Sequence, residues 1–91
     1  MPKMRIYSVY DEKAEEFSPP FFQQNDRLAQ RMITESCKGN GSMLAAYPED
    51  FKLYRLGEFE SSTGEITPEQ RPNLLLCVKD LTKGRQNNVE N

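Results

Sequence analysis

The sequence predicts an α+β fold: a small two-layer domain in which a mainly antiparallel sheet of three to four strands carries one main helix on one face. Three observations lead there. Residues 4–10 are rich in β-branched and aromatic side chains, and residues 51–59 follow a turn and set Phe51, Leu53 and Phe59 at strand spacing, which is how strands read. A single amphipathic stretch with a good cap lies between them. A polar run ending in Gly64 follows the second strand and marks a hairpin.

Strand one spans residues 4–10 and stops at the charged Asp11-Glu12-Lys13. Residues 12–24 read as irregular, because Pro19-Pro20 blocks helix and pushes Ser18 toward an extended conformation. Phe17, Phe21 and Phe22 crowd this loop, too much apolar surface to leave in water. They either cover an edge of the core or form a partner-binding patch. Asn25 is a helix N-cap, and Asp26 places negative charge in the first turn, where the helix dipole favours it. Leu28, Ala29, Met32, Ile33 and Cys37 form one apolar stripe, and Lys38-Gly39 supplies a basic last turn and a left-handed stop after about 13 residues.

Ser42 is placed to cap a short helical turn over 43–47. The preceding Gly39-Asn40-Gly41 loop lacks both the strand before it and the Lys-Ser/Thr pair that phosphate loops use. Pro48-Glu49-Asp50 turns into strand two, in which Phe51, Leu53 and Phe59 are expected on one face. Residues 60–64 form the hairpin loop, 65–67 resume β character, and Pro68 and Pro72 interrupt pairing. Residues 73–81, nearly continuous in apolar character, read as a buried or central strand, with a short helix as the alternative. The domain is expected to cover 1–81, with a disordered polar tail over 82–91.

Ninety-one residues hold one core, and Leu, Ile, Val and Phe number 19 of 91. That is just enough to fold at a net charge of −2, so self-association, as a dimer or another homo-oligomer, is expected. The longest apolar run, residues 74–78, is far short of the ~20 needed to cross a bilayer. With no apolar signal core at its start, the chain is expected in a cytosol. Two cysteines and no histidine exclude a structural zinc site, and Cys37 and Cys77 are expected as buried thiols.

No catalytic constellation, metal site or cofactor fingerprint is legible. The usual neutral-pH base is missing, and the carboxylate pairs Glu15-Glu16, Glu49-Asp50 and Glu58 with Glu60 read as solvated surface charge. A strand surface that sets aromatics beside cations is how single-stranded DNA is held. Arg5, Tyr7 and Val9 share one strand face, and Lys52 and Tyr54 share another; where the two faces coincide they form a stacking platform with positive edges. Arg55 joins this candidate set, although strict alternation puts it opposite Tyr54. Against DNA, residues 41–70 hold two basic and six acidic side chains. The alternative makes Tyr7 and Tyr54 half-buried sheet residues.

Taken as a set, Met4-Arg5-Ile6-Tyr7-Ser8-Val9-Tyr10-Asp11, Pro20-Phe21-Phe22 with Asn25-Asp26, Tyr47-Pro48-Glu49-Asp50-Phe51, Leu53-Tyr54-Arg55-Leu56-Gly57-Glu58-Phe59 and Thr63-Gly64-Glu65 are distinctive. Over residues 4–67 the chain resembles the small nonstructural protein of gokushovirus-type microviruses, bacteriophages with circular single-stranded DNA. The resemblance implies a nonenzymatic protein of the infected bacterium's cytoplasm. Such a protein binds DNA and helps switch from duplex replication to synthesis and packaging of single-stranded genomes. It brings no catalytic residues, no cofactor and no agreed DNA contacts. The competing expectation is an adaptor in which Phe17, Phe21 and Phe22, or a sheet edge, dock a phage replication or capsid protein.

Overall fold

A computed structural model describes residues 3–81; the tail expected at 82–91 lies outside the described residues. Its elements are β1 (Lys3–Asp11), β2 (Glu16–Phe17), β3 (Phe21–Gln23), α1 (Asp26–Ser36), α2 (Met43–Ala46), a 3-10 turn at Pro48–Asp50, β4 (Phe51–Glu60) and β5 (Glu65–Cys77). They form one antiparallel five-stranded sheet ordered β2-β1-β4-β5, with β3 also on β1. The class is α+β, dominated by sheet.

The stretch read as irregular contains two short strands. Both pair with the same edge of β1, Phe17 opposite Tyr10 and Phe22 opposite Ile6. Ser18 bridges them: its backbone N–H donates to the Val9 carbonyl at 2.9 Å, and its hydroxyl accepts from Val9 N–H at 3.1 Å. The buried Ser8 hydroxyl is satisfied by donating to the Ser18 carbonyl at 2.7 Å. A diproline segment can therefore run along a sheet edge, because the donors that it lacks are not needed there.

Helix α1 starts as the residues dictate, with the Asn25 side chain accepting from Leu28 N–H at 2.9 Å. Ala29, Ile33 and Cys37 are its buried face, while Leu28 and Met32 are half-buried. It ends earlier than expected. Cys37 closes it in right-handed geometry, and the left-handed glycine is Gly41 (φ 78°) rather than Gly39. Ser42 caps α2 as expected, accepting from Ala45 N–H at 3.2 Å.

The helix face of the sheet holds the core: Tyr7, Ala29, Ile33, Cys37, Phe51, Leu53 and Val78. The last apolar stretch departs from expectation in two ways. It stays extended only to Cys77, residues 78–81 being helical, and β5 is the outer strand of the sheet rather than a central one. Leu75, Leu76 and Val78 still reach the core from this edge, which is why the segment is apolar. Pairing is interrupted at the two prolines as expected: Gly57 pairs with Pro68 and Arg55 with Asn73, so Glu69 to Pro72 lie opposite Leu56 alone.

Candidate nucleic-acid interface

Irregularity at Leu56 decides which side chains share a face. Ile6 pairs with Gly57 but Tyr7 with Arg55, so Leu56 is an extra residue, and the alternation of β4 changes phase there. Phe51 and Leu53 point into the core, whereas Phe59 lies on the opposite face against Phe22, with ring centroids 5.7 Å apart. The expected common face of Phe51, Leu53 and Phe59 is thus split.

The two faces of the imagined platform do not coincide. Tyr7 is 0 % exposed, stacked on Phe21 at 5.8 Å beneath the helix, and leaves no ring surface for a base. Its hydroxyl donates to Asp26 Oδ1 at 2.8 Å, and Arg55 Nη1 donates to Asp26 Oδ2 at 2.6 Å. Arg55 Nε also donates to Glu69 at 2.9 Å, which ties the β5 bulge to the start of α1. Burial, the hydrogen bond to Asp26 and its negative charge together raise the Tyr7 phenol well above its ordinary value. Burial pushes the Asp26 carboxyl up, but the hydrogen bonds from Tyr7 and Arg55 and the nearby arginine charges outweigh it and hold Asp26 below the usual carboxylate range. Arg5 lies on the same side, 3.9 Å from Asp26 and 3.8 Å from Glu58.

Tyr54 and Lys52 are on the other face, where among the described residues no helix lies. Tyr54 packs with Tyr10 and Phe17 in a three-ring cluster, with centroid separations of 4.8 Å (Tyr10 to Phe17), 5.5 Å (Phe17 to Tyr54) and 6.4 Å (Tyr10 to Tyr54). The rings are tilted or edge-on to one another, and Phe17 is 41 % exposed. Lys52, opposite Tyr10 in the register, borders the cluster and is ion-paired with Glu12; its hydrogen bond to that carboxylate raises the lysine above its ordinary value. Of the five residues expected to meet DNA, the fold therefore brings Tyr54 and Lys52 together and sets Arg5, Tyr7 and Arg55 on the helix side of the sheet. The three phenylalanines divide likewise, Phe21 toward the core and Phe17 and Phe22 onto the open face.

Tyr10 is the member of the cluster that sequence reasoning missed. Alternation already set it opposite Tyr7 and Val9, but only the β1–β4 register shows that it meets Lys52 and Tyr54. Cys37 is buried on α1, while Cys77 is half-buried and pairs in register with Lys52; no disulfide joins them.

No curated protein and no solved structure matches the chain. A family model, Phage ORF5 protein, matches residues 4–81. That match spans every element from β1 to the helical end of the described chain, and the chain belongs to the Phage ORF5 protein family.

Proposed function

We propose that this phage protein binds single-stranded DNA, without enzymatic activity, through the Tyr10, Phe17 and Tyr54 cluster. It is a nonstructural protein of a gokushovirus-type microvirus, acting in the host cytoplasm in viral DNA replication and in the switch to single-stranded genome synthesis and packaging. The observation that carries the reading is a group of aromatic rings on the sheet face opposite the helix with a lysine at its border, since bases stack on such rings irrespective of sequence. Lys52 meets the phosphate backbone once exchanged from Glu12.

Fluorescence anisotropy with single-stranded and duplex oligonucleotides of about 20 nucleotides tests it, at low and at moderate salt. Tyr54→Ala weakens single-strand binding roughly tenfold, as the loss of one stacking ring worth about 1–3 kcal/mol requires. Lys52→Ala flattens the salt slope, and Glu12→Gln, which releases Lys52, strengthens binding.

A second reading has its own observation. Lys52, the cation that borders the aromatic cluster, is engaged by Glu12, while Arg5 and Arg55 lie on the other face paired with carboxylates, so the aromatic face offers little unshared positive charge. A protein docks on such a face without needing phosphate contacts. Wild-type protein with no affinity for single-stranded oligonucleotides at low salt makes the chain an adaptor for a phage replication or capsid protein.

A further inference from the structure

The open sheet face has a second half, chemically unlike the tyrosine cluster. Toward the β4–β5 turn, the register sets Met4 beside Phe59 and Phe59 beside Ile66, while Phe22 lies across Ile6. Phe22 and Phe59 meet at 71°. Phe22 is 45 % and Ile66 60 % exposed. The charged residues of the same strand ends, Lys3, Arg5, Glu58, Glu60 and Glu65, alternate onto the opposite face, where Lys3 and Arg5 pair with Glu58. Among the described residues, the register sets only Met4, Ile6, Phe22, Gly57, Phe59, Ile66 and Pro68 on this half of the face, with no charge and no hydrogen-bonding side-chain group other than the thioether of Met4. Phosphates and water are both poor occupants of it.

We propose that this patch is a self-association surface, and that a second copy of the chain covers it through the same residues across a two-fold axis. Two features select a second copy, and a third sets its strength. An antiparallel face with no charge is its own complement, because two such faces pack about 10 Å apart with interdigitating side chains and bring no like charges together. Apolar side chains with charge excluded from the centre are the composition of interface cores. The area fixes the strength: four strands about 4.8 Å apart and about four residues deep give a footprint of a few hundred Å², below the ~800 Å² per partner of standard stable interfaces. The pair is therefore a reversible dimer rather than an obligate one. It leaves the tyrosine cluster open and needs no DNA.

Sedimentation equilibrium of the full chain, without DNA, from about 10 µM to about 1 mM reads the outcome directly. Wild-type protein moves from monomer to dimer across that range, and Ile66→Lys raises the dissociation constant at least tenfold while its circular dichroism melt, at a dilution where both are monomeric, stays that of the wild type. Phe22→Gln, on the opposite border of the patch, serves equally should the lysine variant not fold. Tyr54→Ala leaves dimerisation unchanged, so failure of the DNA reading and failure of the dimer are separate results. A wild-type monomer at 1 mM, or a dimer equally strong in both patch variants, overturns the proposal.

Discussion

Asp26 is the side chain on which Tyr7, Arg55 and Arg5 converge. It accepts from Tyr7 and Arg55 at 2.8 and 2.6 Å, and it sits in the first turn of α1, where the helix dipole adds to the stabilisation of its charge. Tyr7→Phe removes one donor from a carboxylate that keeps its arginine, so a loss of about 1–2 kcal/mol is expected in a denaturant titration. Single-strand affinity of that folded variant stays at the wild-type level, since the ring it retains is buried. The acid limb of stability belongs to the same residue. Asp26 titrates lower in the native protein than its ordinary 3.8, so its contribution is complete above about pH 4 and is lost as pH falls from there through the lowered native value. Thermal melts between pH 5 and 2 should show wild-type stability falling more steeply than that of Asp26→Asn, which cannot gain the proton.

At the scale of the element, β4 organises the sheet through two neighbouring residues. Leu56 shifts the alternation, and Gly57 allows β5 to cross close by. A Cβ on Gly57 would stand 2.5 Å from the Thr67 carbonyl oxygen and 3.0 Å from Pro68 Cα, both backbone atoms that cannot swing aside. Gly57→Ala should therefore cost about 1–3 kcal/mol by forcing β5 away, with a matching drop in the denaturation midpoint. The helix was legible from its residues because capping and a 3.6-residue stripe are local signals, and so was the interruption at Pro68 and Pro72. The phase of β4 was not. An extra residue in a strand is defined by what its neighbours pair with, and nothing in Arg55-Leu56-Gly57 announces that alternation restarts there. β2 and β3 escaped for a related reason: two- and three-residue strands have no period to read, and exist because the free edge of β1 offers them hydrogen bonds.

For the molecule as a whole, one sheet face is sealed by α1, α2 and residues 78–81, and the other carries two apolar clusters. The cysteines report on the two sides. A thiol reagent should label the native protein slowly at Cys37, which is 6 % exposed at the end of α1, and faster at Cys77, which is half-buried on the side of Lys52; denaturation should equalise the two. Equal slow labelling of both in the native state would mean that the Cys77 side is covered in solution. Composition and local pattern were enough to establish an α+β domain with one capped helix, a β4–β5 hairpin, and a core face running through Ala29, Ile33 and Cys37, because these follow from side-chain period, capping and turn chemistry within a few residues of each other. Whether Tyr7 and Tyr54 stand together was settled by strand register and by one extra residue at Leu56. Those are long-range properties: pairing β1 with β4 joins positions about fifty residues apart, and a slip of one sends every side chain beyond it to the other side of the sheet.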